Sequence, residues 1–269
     1  MITTEYIYGI NPAFEVVRAR RRAIRAAYFG PSGATGSRRR RLTELLNETK
    51  VPVSVTDKHH LFNLCRTTEH QGVVLEAEPY PYASLEGLQE ADRLLLIDNV
   101  EDPQNVGAIL RSAEIFGWHD VLLANRGVPE IYPSVVKASS GATEYLRIAR
   151  DHTANEYVKA LLPLGFTLVA LDAHGKEDLR RLSERNPNKI LLVIGGEHRA
   201  VGQHILNQAH HLVSIPQQGR VTSLNASVAA GIALFMLQPK SQPGQQPCIE
   251  KNPGFLSPSV KRSVRNETF

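Results

Sequence analysis

A stretch near the end of the sequence places several polar side chains at the start of an apolar helical pattern. It reads IPQQGRVTSLNASVAAGIAL over residues 215–234 and contains Ser223, Asn225 and Ser227. Hydroxyl and amide groups at a helix start cap free backbone N–H groups, but one cap needs one such residue. Three polar side chains beside an apolar stripe therefore leave two interpretations open, a simple cap and a lined pocket that hydrogen-bonds a polar ligand.

A second stretch carries a guanidinium group in a similar setting. Residues 94–117 read LLLIDNVEDPQNVGAILRSAEIFG, so an apolar strand-like run is followed by a polar turn and a helical pattern. Asn105 lies at the start of that helix, and Arg111 lies beside its apolar stripe. Arginine stays protonated and binds anionic groups such as phosphate. A lone helix arginine is usually a solvated side chain, so its role depends on the neighbouring motifs.

A third short motif, Gly195-Gly196-Glu197, follows the apolar run at residues 190–194. Glycines after a strand allow another group to approach the backbone closely, although they also occur in plain turns. No metal site is predicted, because the ten His and two Cys show no ligand spacing such as CxxC or HExxH. No GxGxxG follows a strand, which argues against an ordinary dinucleotide-binding fold.

The composition is that of an ordinary globular protein, with 42% apolar and 22% charged residues in a chain of 269. No apolar run reaches the length of a membrane span, and the first residues lack the apolar core of a secretory signal. The two cysteines, Cys65 and Cys248, exclude a disulfide framework and favour a reducing compartment. The sequence therefore predicts a cytoplasmic protein without a membrane anchor.

Positive charge is concentrated at the N-terminal end of the chain. Residues 1–66 contain 12 Lys and Arg against 5 Asp and Glu, whereas residues 67–269 contain 19 against 22. A basic segment on a nearly neutral body favours a polyanionic partner such as nucleic acid. The alternative is a solvated charged face without a partner.

The elements that must position the three motifs alternate between strand and helix, which predicts an α/β domain with a mostly parallel sheet. Strands are predicted at 93–98, 119–124, 145–149, 166–171, 189–195 and 211–215. Helices are predicted at 105–116, 133–139, 153–162, 201–208 and 223–237. Each of the three polar motifs then follows a predicted strand.

The N-terminal segment has a βα pattern of its own. A helix is predicted from Asn11 to about Tyr28, with Asn as its cap and Pro at its first position. A mobile loop is predicted at 30–41, and it ends in the basic run at 38–41. The rest of this segment is predicted to contain strands at 51–55 and 71–77 and a short helix at 58–64.

The three motifs, in this order, resemble those of the SpoU (TrmH) family of RNA 2′-O-ribose methyltransferases. They appear as DPQNVGA at 102–108 with RSA at 111–113, as GGE at 195–197, and as IP at 215–216 with SLNASVA at 223–229. The resemblance is strongest over residues 92–238. Near the N-terminus, EYIYGINP and EHQGVVLEA are similar to the small RNA-binding domain of many such enzymes, which itself is similar to a ribosomal protein that binds kinked RNA.

This resemblance implies an RNA-binding substrate domain at 1–78, a linker at 79–91 and a methyltransferase domain at 92–238. The tail at 239–269 is rich in Pro, Gln and Ser and is predicted to be disordered. The resemblance also implies a deep trefoil knot, formed where the C-terminal segment passes through a loop, and a homodimer that packs through helices beside the knot. Knots are very rare, so this expectation depends on the resemblance alone.

The family resemblance implies S-adenosylmethionine as methyl donor and structured RNA as substrate. Contacts to the donor are expected from Gly195, Ile215 and Leu224, largely through main-chain groups. Arg111 is expected to activate the ribose 2′-hydroxyl. A guanidinium that stays protonated is a poor base, so two roles remain open for it: proton removal, and phosphate binding with stabilisation of charge on the 2′-oxygen.

Four further side chains are expected to complete the catalytic site: Asn105, Glu197, Ser223 and Asn225. Asn105 is expected to orient the arginine or the ribose, and Glu197 to accept hydrogen bonds from either. The transfer is an in-line displacement from a sulfonium that carries its own leaving group, so the resemblance implies no metal.

One departure from the family pattern follows Glu197. The family usually has glycines there, whereas this chain has His198-Arg199-Ala200. A side chain at 198 replaces a glycine that can adopt positive φ, a conformation that costs most residues more than it costs His. We expect a rearranged loop with a functional pocket, with His198 facing solvent or RNA and Arg199 free to meet phosphate.

Two other classes of function remain possible from the sequence. The chain could be a catalytically inactive RNA-binding protein that keeps the methyltransferase fold, or an adenosine-nucleotide binder with no role on RNA, against which the basic N-terminal segment argues. If the chain is an enzyme, the resemblance favours ribosomal RNA, with guanosine as the nucleotide, over tRNA.

Overall fold

The computed structural model of the chain describes residues 4–31, 37–185, 187–197, 199–220 and 223–239. His198 and residues 240–269 of the predicted tail lie outside these ranges, so the expectations for them stay predictions. Within the described ranges the strands form two separate sheets. In the same ranges, no helix combines the length and the apolar character that a bilayer span requires.

The N-terminal sheet has four strands in the order β1-β4-β2-β3. The strands are β1 (Glu5–Tyr8), β2 (Ile24–Phe29), β3 (Val53–Val55) and β4 (Val73–Ala77). The helices of this half are α1 (Ile10–Ala19), α2 (Ser37–Glu48) and α3 (Lys58–Cys65). β4 pairs antiparallel with β1 and β2, and β3 pairs parallel with β2, which gives the small α/β unit that the sequence predicts.

The predicted helix from Asn11 to Tyr28 is wrong at its start, where Gly9 and not Asn11 is the N-cap, and in its second half. α1 ends at Ala19, and Arg20 adopts a left-handed backbone conformation with φ 52°. The chain then turns back as β2, which is held on both sides by β3 and β4. Pairing with strands distant in sequence overrides a helical pattern in residues of weak propensity, and a short window cannot reveal such partners.

The predicted loop at 30–41 is also wrong at its basic end. The four arginines at 38–41 belong to the first turns of α2, and residues 32–36 lie outside the described ranges. Leu42 and Leu46, four residues apart on α2, are fully buried. The helix therefore docks through a narrow apolar stripe while its arginines remain at the surface.

The second sheet has seven strands in the order β7-β6-β5-β10-β8-β11-β9, and all its paired neighbours are parallel. The strands are β5 (Arg93–Ile97), β6 (Asp120–Leu123), β7 (Arg147–Ala149), β8 (Thr167–Leu171), β9 (Glu177–Asp178), β10 (Ile190–Ile194) and β11 (His211–Ser214). The helices are α4 (Pro103–Ile115), α5 (Pro133–Ala138), α6 (Ala154–Leu161), α7 (Leu179–Arg185), α8 (Gln203–Leu206) and α9 (Ala226–Met236).

The predicted α/β architecture with a mostly parallel sheet is confirmed. Each of the six predicted strands is present with its ends within two residues of the prediction, and each of the five predicted helices is present. β9 and α7 were missed, because two residues of strand and seven of a highly charged helix carry little periodicity. The carboxyl ends of β5, β10, β8 and β11 lie side by side, which is where parallel sheets place their ligands.

Helix α4 packs between α5 and α9, and a glycine at the α5 contact allows the closer of the two approaches. A Cβ atom on Gly107 would overlap Ala138 and the backbone of Ser139, at the end of α5. On another face of α4, Ser112 lies beside Gly231 of α9. The three helices therefore form one layer in which small shifts of one are transmitted to the others.

The two sheets are joined through buried polar contacts. Arg22, just before β2, donates two hydrogen bonds to the carboxylate of Glu144, at 2.6 and 3.1 Å, and both side chains are almost completely buried. Tyr80, in the predicted linker, is also buried and donates to the carbonyls of Thr143 and Leu146. The segment between the sheets is thus packed, while the domain boundaries at 78 and 92 stay a prediction.

The predicted trefoil knot concerns the path of the chain between β11 and α9. Residues 221 and 222 of that path lie outside the described ranges. The knot therefore stays a prediction from the family resemblance.

Candidate functional site

A cavity of about 380 Å³ opens at the carboxyl ends of β8, β10 and β11. All three residues predicted to contact the donor, Gly195, Ile215 and Leu224, line this donor cavity, and so does Ser223. Its further walls are mostly apolar and include Leu171, Ile194, Val201, Ala226 and Ala229. Its volume falls in the range of pockets that hold a drug-sized ligand, roughly 300–1,000 Å³.

The two glycines after β10 have a steric reason in the loop that borders this cavity. A Cβ on Gly195 would overlap the backbone of Ala200 and Val201, and one on Gly196 would overlap the carbonyl of Asn99. The amide of Gly196 also donates to the carbonyl of Arg199, at 2.9 Å. The glycines therefore allow residues 195 and 196 to pack tightly against residues 199–201 and against the end of β5.

Asp98 and Asn99, at the end of β5, hold the far side of this loop. Asp98 is buried, and its Oδ2 accepts hydrogen bonds from the amide of Gly202, at 3.0 Å, and from Asn99 Nδ2, at 3.2 Å. Asn99 also donates to the carbonyl of Ala200, at 3.3 Å, from a left-handed backbone with φ 54°. Burial raises the pKa of the Asp98 carboxyl, and its bond from Gly202 opposes part of that rise.

A second cavity of about 340 Å³ adjoins the first. It is lined by polar residues that follow β5 and by the same loop: Asn99, Glu101, Asp102, Asn105, Gly196, Glu197 and Arg199. Gly196 and Glu197 line both cavities. A ligand in the apolar cavity and a polar ligand in the second one would therefore meet beside Glu197.

Three predicted catalytic side chains form one hydrogen-bonded cluster at this junction. Asn225 Nδ2 donates to Glu197 Oε1, at 2.5 Å, and to Asn105 Oδ1, at 3.0 Å. Asn105 Nδ2 donates to the same Glu197 oxygen, at 3.3 Å, and the amide of Ala226 does so at 3.3 Å. Glu197 Oε2 makes no hydrogen bond to any described residue, so it remains available to a ligand.

The Asn225 side chain acts as a helix cap and also contacts the polar cluster, so the two interpretations of this polar stretch are compatible. Its side-chain oxygen accepts from the amides of Ser227 and Val228 and caps α9. Its side-chain nitrogen belongs to the cluster with Asn105 and Glu197. One amide group thus starts the helix with its oxygen and fixes the carboxylate with its nitrogen.

Arg111 lies on α4 with Asn105 but leaves the helix in another direction. Residues three, four and seven apart share a helix face, so Arg111 shares a stripe with Gly107, which faces α5. Asn105 shares a stripe with Ser112, which faces α9. The structure therefore does not bring Arg111 into hydrogen-bond contact with the Asn105–Glu197–Asn225 cluster.

The guanidinium of Arg111 is exposed and is held instead by Ser140, in the turn that follows α5. Its Nη1 donates to Ser140 Oγ, at 3.2 Å. Arg199, which was expected to be free for phosphate, is exposed and lies 3.8 Å from the exposed carboxylate of Glu101. A contact of that length between solvated groups is weak, so it leaves Arg199 accessible.

Several residues at the site were missed by the sequence reasoning. Asp98 and Asn99 close the loop, Ser140 holds Arg111, and Asp172 and His174 line the donor cavity after β8. A signal existed for those that follow strands, because ligands bind at the carboxyl ends of parallel strands. None existed for Ser140, whose position beside α4 depends on the packing of α5. Among the described residues, no three His, Cys, Asp or Glu side chains lie close enough together to hold a metal.

Two family models match the chain. One describes the SpoU rRNA Methylase family and matches residues 92–235. The other describes an RNA 2′-O ribose methyltransferase substrate-binding domain and matches residues 6–83. The two matches coincide with the seven-stranded and the four-stranded sheet.

Curated relatives have corresponding names. A protein of Mycobacterium sp. (strain KMS), named an uncharacterized tRNA/rRNA methyltransferase, is 32% identical over 86% of this chain and 75% of its own length. A protein of Archaeoglobus fulgidus with the same name is 42% identical over 60% of this chain and 73% of its own length.

Solved structures share the fold over most of the chain. The SpoU methyltransferase AviRb from Streptomyces viridochromogenes, crystallised with S-adenosylmethionine, gives a TM-score of 0.71 at 25% identity, covering 87% of this chain and 89% of its own. An S-adenosylmethionine-bound rRNA methyltransferase from Sinorhizobium meliloti gives a TM-score of 0.71 at 22% identity, covering 87% and 86%.

Proposed function

Because the chain belongs to the SpoU rRNA methylase family, we propose that it transfers a methyl group from S-adenosylmethionine to a ribose 2′-hydroxyl of structured RNA. Ribosomal RNA, with guanosine as the nucleotide, is the favoured substrate, and tRNA is the alternative. An enzyme of this kind acts where RNA is processed, and we place it in the cytoplasm. The observation that carries the proposal is the junction at Glu197 between an apolar and a polar cavity.

The donor cavity has features that fit S-adenosylmethionine. Apolar side chains line a slot suited to the adenine ring, and glycine backbone borders it at Gly195 and Gly196. The described lining residues include the carboxylates Asp172 and Glu197 and no lysine or arginine, which suits a positively charged ligand. When bound, the donor would supply a methyl group on positively charged sulfur, and the sulfur is the leaving group when an oxygen attacks the methyl carbon in line.

Glu197 is the side chain that this chain would present to the ribose. Its Oε1 is fixed by the Asn225 and Asn105 amides and by the Ala226 amide, so the carboxylate cannot rotate freely. Its free Oε2 can accept a hydrogen bond from a ribose hydroxyl in the polar cavity. Such an acceptor orients the 2′-hydroxyl toward the apolar cavity and assists the loss of its proton.

Arg111 has a different task in this proposal. Its exposed guanidinium binds an RNA phosphate, and it stabilises the negative charge on the 2′-oxygen where the RNA or a partner subunit brings the reacting ribose to it, since it does not contact the Glu197 cluster of its own chain. A literal base role for Arg111 is the alternative, and it demands a neutral guanidine that is rarely populated near neutral pH. Ser223 lines the donor cavity and is placed to contact the bound donor or the ribose.

The RNA itself is proposed to extend from the site to the N-terminal sheet. The match to a substrate-binding domain over residues 6–83 and the basic N-terminal segment both support this. In α2 the side chains of Arg38, Arg40 and Arg41 are exposed, as phosphate contacts require.

A homodimer is also proposed, and exposed apolar side chains on α4 and α9 support it. Ile115 is 62% exposed and Phe235 is 54% exposed, and Ile115 lies one turn after Arg111 on the same stripe of α4. A partner subunit on this face would cover these residues and complete the surroundings of Arg111. Sedimentation of an active monomer at micromolar concentration would contradict this assembly.

Mapping 2′-O-methyl sites in total RNA from cells with and without the protein tests the proposed function. We expect at least one site to disappear when the protein is absent and to return when it is restored. A catalytically inactive RNA-binding protein would leave every site unchanged. Calorimetry with S-adenosylmethionine then separates the two, because an inactive scaffold with a blocked pocket would bind no donor even at millimolar concentration.

A further inference from the structure

We propose that Ser140 is a positioning residue that holds the Arg111 guanidinium in place for methyl transfer. This inference rests on the proposed function and on the role of Arg111 in it. Arg111 Nη1 donates to Ser140 Oγ, at 3.2 Å, and this is its one hydrogen bond within the described part of the chain. Without it, a long exposed side chain would sample many rotamers and would rarely face the substrate.

The backbone at Ser140 has an unfavourable conformation for a residue with a side chain. Ser140 has φ +57°, in the left-handed region that glycine adopts without cost, and the next residue, Gly141, has φ +89°. A glycine at 140 would relieve the strain. Arg20 and Arg66 adopt the same conformation at the ends of α1 and α3, so the positive φ reflects the end of α5, and what distinguishes Ser140 is the contact of its hydroxyl group with Arg111.

The turn that carries Ser140 is fixed to the helix that carries Arg111. The amide of Ser140 donates to Lys137 O, and that of Gly141 donates to Val136 O, so the turn closes the end of α5. The missing side chain of Gly107 allows α4 to touch the backbone of Ser139. Gly107 lies one helical turn before Arg111, so the distance between Ser140 and the base of the Arg111 side chain is set by backbone packing.

The N-terminal half of the chain packs on the other side of the same turn. A Cβ on Gly141 would overlap the Glu15 side chain of α1, and Tyr145 OH donates to Glu15 Oε2 at 2.8 Å. The buried Arg22–Glu144 pair lies three to four residues further along. The turn is therefore held between α4 and the half of the protein that is proposed to bind RNA, which leaves Ser140 little freedom to move away from Arg111.

A pair of neighbouring variants separates positioning from stability. Ser140→Gly removes the hydroxyl and relieves the backbone strain, so we expect Tm to be unchanged or raised and donor affinity to be unchanged. We expect kcat for methyl transfer to fall on the order of 10- to 100-fold, the usual cost of a misplaced catalytic group. The matched control is Ser139→Ala, since the buried Ser139 hydroxyl donates to the carbonyl of Val136 and not to Arg111. For it we expect a lower Tm and an unchanged kcat.

A rescue variant completes the test. Ser140→Asn tolerates positive φ and offers an oxygen that can accept the bond from Arg111, so its kcat should lie between those of Ser140→Gly and the wild type. A Ser140→Gly protein with the wild-type kcat would overturn this inference while leaving the proposed function intact. A Ser140→Asn protein whose kcat is no higher than that of Ser140→Gly would do the same. A wild-type protein that transfers no methyl group to RNA would overturn the proposed function, and this inference with it.

Discussion

Glu197 receives three hydrogen bonds on one carboxylate oxygen, and this arrangement defines the candidate site at the scale of single residues. Two of the donors, Asn105 and Asn225, lie 120 positions apart in the sequence. The residue types and their order along the chain were predictable, because the motifs are contiguous. Their mutual contacts were not, because they depend on how α4 and α9 are brought together by the sheet.

Arg111 is a second case in which side-chain contacts could not be predicted from the sequence. It belongs to the same sequence motif as Asn105, yet six residues of helix direct the two side chains onto different stripes of α4. Of the two partners expected for Asn105, the arginine and the ribose, the helix geometry does not provide the contact with the arginine. Ser140 had no sequence signal, because its partner lies 29 residues away and its hydroxyl could equally have capped a helix.

Asp98 provides a prediction that depends on pH. Burial raises the pKa of its carboxyl, so its contribution to stability is fully present below the ordinary pKa of Asp and is lost as pH rises through the folded pKa. Asp98→Asn cannot ionise but keeps an oxygen that accepts from Gly202. We therefore expect the free energy of unfolding of the variant, relative to that of wild type, to increase as the pH rises above the ordinary pKa of Asp, about 4.

Urea unfolding of both proteins at several pH values measures this difference. Other carboxyl groups are common to the two proteins, so their titration cancels in the comparison. A difference in unfolding free energy that stays constant from acidic to neutral pH would show that the Asp98 carboxyl ionises as easily in the folded chain as in the unfolded one.

At the scale of elements, the predicted parallel sheet is confirmed, whereas prediction failed in the N-terminal half for β2 and α2. Strands β5, β6, β8 and β10 of the seven-stranded sheet are largely apolar runs buried on both faces, a pattern that short windows identify well. β2 is the opposite case, since its residues alternate little and its strand state depends on β3 and β4. The basic run at 38–41 predicts a loop because four adjacent arginines carry no apolar periodicity, yet these residues are helical.

The arginines of α2 lead to a prediction for RNA binding, because they lie on a helix and not along a loop. Arg38 and Arg41 lie over the ring of Phe14, at 5.9 and 5.8 Å, with their side chains exposed. We expect replacement of Arg38, Arg40 and Arg41 by Gln to weaken RNA binding. The slope of log affinity against log salt should become shallower by about 0.7–0.9 for each phosphate group that the variant no longer neutralises.

Titration of a structured RNA at several salt concentrations measures that slope. The matched control replaces the three arginines of α7, Arg180, Arg181 and Arg185, by Gln, which removes the same charge from a helix of the other sheet. An equal change of slope in both triple variants would indicate a general charge effect and would contradict a specific role for α2.

At the scale of the whole molecule, a buried ion pair joins the two sheets. Arg22 and Glu144 have side chains that are 1% and 0% exposed. Arg22→Met leaves the Glu144 carboxylate buried without its partner, so we expect the free energy of unfolding to fall by about 3–5 kcal/mol. The double variant Arg22→Met with Glu144→Leu removes both fully buried charges and should recover most of that stability, because the second partner of Arg22, Glu5, has a side chain that is 21% exposed and can be hydrated.

Chemical denaturation of the two variants and of the wild type checks this prediction. If the double variant were as unstable as the single one, the loss of stability would not come from the unpaired Glu144 charge, and the prediction would be contradicted. The same ion pair affects how RNA binding can be tested, because deletion of residues 1–78 would also leave Glu144 unpaired. The arginine substitutions in α2 avoid that defect, since they leave the junction between the sheets intact.

Methyl transfer by the purified protein is the most direct test of the account as a whole. The protein is incubated with S-adenosylmethionine labelled in its methyl group and with total RNA from cells that lack it, and the RNA is digested to nucleosides. With the wild-type protein we expect the label in a 2′-O-methylated nucleoside. With Arg111→Ala we expect no labelled nucleoside, while calorimetry shows unchanged donor binding. With Arg111→Lys, which keeps the charge but has no planar fork, we expect little recovery of methyl transfer. Label on a base, or no transfer by a wild-type protein that binds the donor, would contradict the proposed reaction.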